Sequence, residues 1–169
     1  RFLAANNVND VVYHYLKTGE YQPRSSTETI ANAMDVGAPS NFSRILDLYR
    51  HSHEGIAGVM EGFRYSDEQI RETIQKVFEQ TGYLCDPHGA CGYQALEDYL
   101  SDHPNQIGIF LETAHPAKFR ENVTPIVGEE NVQIPGKLAE FMNRPRKAVS
   151  LDKVFASFKS YLLGKQWGK

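Results

Sequence analysis

Three polar turns contain the side chains of this chain that are best suited to bind a ligand. They occupy residues 6–10, 86–92 and 112–119, and they combine amide, carboxylate, imidazole and hydroxyl groups. In the third turn, Pro116 suits the first position of a helix, because its missing N–H is one that a helix start leaves unpaired. The backbone amides that follow it, at Ala117 and Lys118, favour an anion. The chemistry indicated by these turns is therefore the binding of a small anionic ligand.

Each turn follows a short apolar run that is typical of a β-strand. We predict strands at residues 2–5, 83–85 and 107–111, separated by helices, which requires parallel pairing and right-handed crossovers. The run at 107–111 is almost continuously apolar, as expected for a strand that helices cover on both faces. The predicted fold class is α/β, with a three-layer parallel sheet flanked by helices. Because the carboxyl ends of parallel strands meet at one edge, the three turns should face one crevice.

Capping residues mark the helices. Ser66 and Gln69 stand at capping-box spacing, and the helix that they start should end at Gly82. The Asp-Pro pair at 86–87 starts the next helix. Residues 55–63, which contain three glycines, indicate a weak helix or a loop. Further helices are predicted at 11–18, at 135–142 and after a cap at Ser150, with a tail at 165–169.

Length and charge restrict the class of protein. A chain of 169 residues with 41% hydrophobic residues is long enough for one core, so 1–169 is predicted to be a single domain. The formal charge of -3, without a basic run, argues against a nucleic-acid partner. No apolar run is long enough to cross a bilayer, and the first ten residues lack the long apolar region of a signal peptide, so we expect a cytoplasmic protein. The start at Arg1, without Met, indicates a piece of a longer polypeptide.

Three other patterns favour ordinary structural roles. The segment 51–54, His-Ser-His-Glu, lacks a third metal ligand at a familiar distance, so we expect a surface helix end and no metal site. Cys85 and Cys91 do not form a C-x-x-C motif and are expected to be reduced and buried. Ser40 can cap a helix whose amide-rich start could hold a phosphate, although an ordinary capped helix is the simpler interpretation.

Four motifs occur in a characteristic order and spacing. They are AANNVND at 4–10, NAMDVGAPSNF at 32–42, DPHGA at 86–90 and TAHPAKF at 113–119. Together they closely resemble the carboxyl-terminal part of threonine synthase, of the kind found in many bacteria and in fungi. The likeness covers 1–128, whereas 129–169 is compatible but generic, a helical carboxyl-terminal region.

The resemblance implies a fold, a reaction and a cofactor. The family is similar in fold to fold-type II pyridoxal-phosphate enzymes, the tryptophan-synthase β type, and converts O-phospho-L-homoserine and water into L-threonine and phosphate. Thr113 matches the hydroxyl residue that faces the pyridine nitrogen of pyridoxal 5'-phosphate, and Glu112 would help to shape the pocket. By the same resemblance, Asp86, His88, Gly89 and Ala114 are expected to contact the cofactor, and Ser40, Asn41 and His115 the substrate.

The chain also departs from the family pattern. The lysine that forms the Schiff base and the loop that holds the cofactor phosphate lie toward the amino end in the family, and neither motif occurs here. Lys118 is near the expected pocket but does not match the Schiff-base motif. We therefore expect no catalytic residue in this chain, which is predicted to be inactive by itself. An alternative is a non-catalytic α/β module that binds a small molecule or an anion, and a homodimer through an exposed sheet edge is also expected.

Overall fold

Two parallel strands form the sheet in the described part of the chain. Strand β1 (Phe2–Asn6) pairs with β2 (Met60–Arg64), in a register that places Phe2 beside Met60 and Asn6 beside Arg64. The strand predicted at 2–5 is confirmed, with one further residue, and so is parallel pairing. The helix or loop predicted at 55–63 is wrong for its second half, because β1 supplies the hydrogen-bonding edge on which residues 60–64 become a strand. Parallel strands joined by helices confirm the α/β class.

The strands predicted at 83–85 and 107–111 are not present, which corrects the three-strand sheet. Within 107–111 the side chains nevertheless alternate as they would in a strand. Ile107, Ile109 and Leu111 are 97%, 87% and 75% exposed, whereas the Phe110 ring packs edge-on against Tyr93. A strand is defined by its partner as much as by its sequence, and no described strand pairs with this segment.

The helices with clear capping signals are confirmed. They include α1 (Val11–Thr18), α4 (Asp67–Thr81) and α5 (Pro87–Asp102). Both hydrogen bonds of the capping box between Ser66 and Gln69 are formed at the start of α4. Gly82 ends that helix with a φ of 72°, a left-handed conformation that glycine adopts without steric cost.

Shorter helices complete the first part of the chain. Helix α2 (Phe42–Leu48) and helix α3 (His53–Val59) lie between α1 and β2 in sequence, and helix α6 (Arg120–Val127) follows α5. Single 3₁₀ turns occupy Asn32–Met34, Pro116–Phe119 and Glu129–Asn131.

The core has two clusters of buried side chains. One contains Ile70, Ile74 and Val77 of α4, packed with Cys85 and residues of α5; the other joins α1, α2 and α3. Cys85 and Cys91 are free and buried, as predicted. Burial raises the pKa of each thiol to about 12, so both cysteines are neutral apolar side chains at physiological pH.

The structure, a computed structural model, describes residues 1–145 and 147–165. Arg146 and residues 166–169, which belong to the predicted tail, lie outside the described residues. Contacts divide the chain into two compact units, Arg1–Gln133 and Ile134–Lys169. No described helix is long and apolar enough to span a membrane.

The second unit contains two helices, α7 (Gly136–Met142) and α8 (Phe155–Gly164). The helix predicted at 135–142 is confirmed, with Pro135 at the cap. The prediction that Ser150 caps the last helix is wrong. Asp152 bonds to the start of α8 instead: its carboxylate accepts hydrogen bonds from the Val154 amide and the Ser157 hydroxyl, both at 2.9 Å.

The close approach of β2 to α1 depends on Gly62. A Cβ at this position would lie 3.1 Å from the backbone Cα of Tyr13, which cannot move independently of its helix. We expect Gly62→Ala to lower the free energy of unfolding by about 1–3 kcal/mol, as overpacking usually does. Gly58→Ala is the matched control, because a Cβ there meets nothing within 4 Å. Urea unfolding of both variants tests this; equal stability of the two would contradict it.

Candidate ligand-binding site

The start of α5 is built around the carboxylate of Asp86. Asp86 is fully buried, and its Oδ1 accepts hydrogen bonds from the His88 backbone amide at 2.8 Å and from His88 Nδ1 at 2.7 Å. The Phe119 ring packs on the His88 imidazole, with 4.8 Å between ring centroids. The second ring nitrogen, Nε2, is buried without a hydrogen-bond partner. Asp86 thus orients an imidazole that retains one unused polar atom.

Glu112 brings a second carboxyl group to the same place. Its two carboxyl oxygens and Asp86 Oδ2 are all buried. A Cβ at Gly89 would lie 2.2 Å from the Glu112 carboxyl carbon, so only glycine leaves room for this side chain. Two interacting carboxyl groups in a buried site cannot both ionise at low cost, so one of them holds a proton.

The proton of this pair resides on Glu112. Burial, with the neighbouring Asp86 charge, raises the pKa of Glu112 from its usual 4.5 to about 8. Burial also acts to raise the pKa of Asp86, but the hydrogen bonds from His88 and Glu112 outweigh it and hold that pKa below its usual range. At neutral pH the arrangement is therefore an ionised Asp86 between a protonated Glu112 and the imidazole of His88.

A cavity of about 220 Å³ lies next to His88; we call it the asparagine cavity. Four asparagines line it together with apolar residues and His88: Asn6, Asn7, Asn9 and Asn41. No Lys, Arg, Asp or Glu is among its described lining residues. The cavity thus offers amide groups and one imidazole to a ligand.

Two of these asparagines are used to hold the structure. Asn7 Nδ2 donates to Thr29 Oγ1 and to Asp35 Oδ1, each at 2.9 Å, and Asn9 Nδ2 donates to the Thr27 carbonyl at 2.8 Å. Asp35 also accepts from the Thr29 amide and hydroxyl. These bonds fasten residues 27–35 over the turn after β1 and so close one wall of the cavity.

A second, larger depression of about 410 Å³ separates β1 from residues 106–111, with α5 beneath it. Phe2 and Leu3 line one side, Ile107 and Ile109 line the other, and His88 contributes to this depression as well as to the asparagine cavity. We call it the strand groove, because extended backbone borders it on both sides.

The structure distributes the predicted site residues over several places. Asp86, His88 and Gly89 lie together with Glu112, and Asn41 lines the asparagine cavity with His88. Ala114 and His115 line a separate cavity, where His115 Nδ1 also accepts from the Ala117 amide at 3.1 Å. Thr113 and Ser40 are exposed.

The sequence carries little local signal for the roles of Asn6, Asp35 and the Glu112 proton. The polar composition of the turn 6–10 was a usable signal for Asn6. The pairing of Asp35 with Asn7 and Asn9 joins residues far apart in sequence and had no local signal. The pairing of Glu112 with Asp86 likewise depends on packing.

Family comparison defines the class of protein. A family model described as pyridoxal-phosphate dependent enzyme matches residues 1–108, and one described as threonine synthase, C-terminal, matches residues 89–162. The chain belongs to the pyridoxal-phosphate dependent enzyme family.

Comparison with individual proteins gives a more specific likeness than the family models do. The chain is 39% identical to threonine synthase of Haemophilus influenzae, in an alignment that covers 96% of this chain and 37% of that protein. It is 36% identical to threonine synthase of Escherichia coli, in an alignment that covers 98% of this chain and 38% of that protein. The chain thus spans less than two-fifths of the length of these curated relatives.

Solved structures agree with the sequence comparison. The crystal structure of threonine synthase from Escherichia coli matches with a TM-score of 0.83 and 37% identity, over 98% of this chain and 38% of that one. The crystal structure of threonine synthase from yeast matches with a TM-score of 0.74 and 25% identity, over 85% of this chain and 37% of that one. The expected fold class, part of a fold-type II domain, is confirmed.

The raised pKa of Glu112 predicts how stability depends on pH. Because the folded state holds the proton more tightly than the unfolded state, the contribution of Glu112 is complete below pH 4.5 and is lost as pH rises toward 8. The amide of the Glu112→Gln variant does not titrate and is a donor at every pH. The loss of unfolding free energy that Glu112 causes between pH 4.5 and 8 should therefore be absent in this variant. We expect a difference on the order of 2 kcal/mol between pH 4.5 and 8, after allowing for solvent screening.

Urea unfolding at a series of pH values measures this effect. Glu72→Gln, which changes an exposed glutamate on α4, is the matched control and should keep the wild-type slope. If Glu112→Gln and wild type show the same slope between pH 4.5 and 8, the shared proton is not there.

Proposed function

We propose that this chain is the carboxyl-terminal part of a threonine synthase, which converts O-phospho-L-homoserine and water into L-threonine and phosphate. The observation that carries the proposal is the agreement over 96–98% of the chain, in sequence and in backbone, with proteins of that name. The match of a carboxyl-terminal family model to residues 89–162 supports the assignment to that part of the enzyme. We also propose that the protein acts in the cytoplasm.

The residues of this chain fit one wall of a pyridoxal-phosphate site. The orphaned Nε2 of His88 is a buried polar atom that a bound group would satisfy. The exposed hydroxyl of Thr113 is free to meet a partner from the outer side of residues 107–113. Above Gly89 the space is filled by Glu112, so this glycine serves the carboxyl pair.

The bound cofactor would supply an electron sink for the carbon atoms of the substrate. Thr113 would face the ring nitrogen, and a neutral hydroxyl there would leave that nitrogen largely unprotonated. His88 and Ala114 would contact the cofactor, with Asp86 fixing the ring of His88 through Nδ1. Asn41, His115 and Ser40 are the proposed substrate contacts. Each of these roles concerns binding and orientation, and none requires a covalent bond to this chain.

The groups that this chain does not supply would come from the rest of the enzyme. We propose that the lysine that binds the cofactor covalently, and the loop that holds its phosphate, lie in that part. The strand groove supports this proposal, because it leaves Phe2 and Ile107 to contact further chain, being 66% and 97% exposed. An extended segment inserted there would find backbone groups on both sides.

The role of Thr113 can be tested by removing its hydroxyl. In the complete enzyme, Thr113→Val should lower kcat by about 100-fold, the usual cost of one lost polar contact at a reacting group. The thermal unfolding temperature should hardly change, because Thr113 is exposed. Thr113→Ser keeps the hydroxyl and should retain most activity. Steady-state kinetics of the two variants decide the matter; a normal rate in Thr113→Val would refute the assignment.

The proposed absence of the reactive lysine predicts a spectroscopic result. When pyridoxal phosphate is added to the isolated 169-residue chain, we expect no stable visible absorption band, because none of its lysines matches the Schiff-base motif. Lys118→Ala should give the same spectrum as the unmodified chain. A stable band that is lost in Lys118→Ala would contradict the proposal that the reactive lysine lies outside this chain.

A further inference from the structure

We infer that Glu112 is a positioning residue for Thr113. As a neutral acid, Glu112 holds the carboxyl end of segment 107–113 against the start of α5; as a carboxylate it releases that end, and turnover falls. The inference rests on the proposed function, in which Thr113 faces the cofactor ring, and adds to it the group that determines where Thr113 lies.

Three contacts join segment 107–113 to α5, and they fall on alternate residues of the segment. They pair Gly108 with Leu96, Phe110 with Tyr93, and Glu112 with Gly89. The first two are made by an aliphatic side chain and by two aromatic rings, whereas the third is made by a carboxyl group and lies beside Thr113. The contact nearest to Thr113 is therefore the one that ionisation of a carboxyl group can remove.

The Glu112 carboxyl group is enclosed on the side of α5. A Cβ at Gly89 would lie 2.2 Å from its carboxyl carbon, and both of its oxygens are buried. It shares a hydrogen bond with Asp86, which is fully buried. Asp86 is fixed, because its Oδ1 caps α5 and the next residues, Pro87 and Ala90 among them, are buried in the core. Any displacement caused by repulsion between the two carboxyl groups therefore falls on Glu112.

Glu112 changes charge near neutral pH. Burial, with the neighbouring Asp86, raises its pKa to about 8, so the carboxyl group is neutral below that pH and ionised above it. The neutral group donates its proton to Asp86, whereas the ionised group brings a second negative charge into a buried site. Segment 107–111 has no strand partner among the described residues, so no described backbone ladder opposes movement of Glu112 and Thr113 toward solvent.

The other titratable groups that face Glu112 do not explain a change at this pH. Burial raises the pKa of the Cys85 thiol to about 12 and that of the Tyr83 hydroxyl above its usual value, so both stay neutral. Asp86 stays ionised, because its hydrogen bonds hold its pKa below the usual range. His88 contacts Asp86 at Oδ1 and is retained in Glu112→Gln, so titration of its ring would affect this variant and the wild type alike.

Turnover of O-phospho-L-homoserine by the complete enzyme is measured at about one pH unit below and one above the pKa of Glu112. The neutral fraction of Glu112 falls from about nine-tenths to about one-tenth, so its ionisation should lower kcat by about tenfold. The amide of Glu112→Gln does not titrate. Whatever other groups titrate, the fall in kcat should be about tenfold smaller in this variant. Glu72→Gln, at an exposed position of α4, is the matched control and should show the wild-type fall.

A second measurement reports the environment of Thr113 and does not depend on activity. In the complete protein with ¹³C-labelled threonine methyl groups, the nuclear magnetic resonance signal of Thr113 is identified by its loss in Thr113→Ser. We expect this signal to titrate with a midpoint near pH 8 in the wild type and not in Glu112→Gln. The signal of Thr73, which is buried on α4, should be constant in both proteins.

Gly89→Ala displaces the carboxyl group by packing instead of by charge, because the added Cβ would occupy its place. At about one pH unit below the pKa of Glu112, the Thr113 signal of this variant should already have left the position that it has in the wild type. An unchanged signal would show that the contact of Glu112 with α5 does not hold Thr113.

Two further results would overturn the inference: an equal fall in kcat in wild type and Glu112→Gln, or a Thr113 signal whose titration is the same in both proteins. Absence of turnover at every pH would instead contradict the proposed function. In that case the Thr113 signal alone still decides whether Glu112 positions this residue.

Discussion

The buried carboxylate of Asp86 is the constraint on which the candidate site depends. An ionised carboxyl group in the protein interior costs several kcal/mol unless hydrogen bonds and opposite charges replace its hydration. Here a backbone amide at the start of α5, the imidazole of His88 and a proton carried by Glu112 do so. These hydrogen bonds fix the positions of the His88 ring and of the Glu112 carboxyl group. The arrangement explains why residue 89 is a glycine, since the Glu112 carboxyl occupies the place of its side chain.

Anchoring Glu112 inward also fixes its neighbours. Side chains of an extended segment alternate, so once Glu112 faces Asp86, Thr113 must face outward with Leu111, Ile109 and Ile107. The exposed face of residues 107–113 therefore carries three large apolar side chains, followed by the hydroxyl group of Thr113. The alternation connects the carboxyl pair on one side of the segment with the proposed cofactor contact on the other.

Local signals in the sequence predicted the helices well and the strands less well. The capping box of α4 and the Asp86 cap of α5 are contained in a few adjacent residues, and both formed as expected. A strand needs a partner that can lie anywhere in the chain. The segment 107–111 therefore has the side-chain pattern of a strand without strand pairing, whereas β2 pairs with β1 despite its glycine. That glycine lets α1 approach closely, which no local pattern reveals.

The candidate site shows the same division between local and distant information. His88 and Gly89 could be predicted as site residues from one short motif, DPHGA at 86–90, because that motif forms a single helix start. The asparagine cavity could not, because its wall depends on bonds from Asn7 and Asn9 to Asp35, more than twenty residues away in each case. Those bonds consume the amides that composition alone would have offered to an anion. The amides of Asn7 and Asn9 are therefore structural groups of the cavity wall, and no local pattern in the asparagine-rich sequence separates them from amides that a ligand could use.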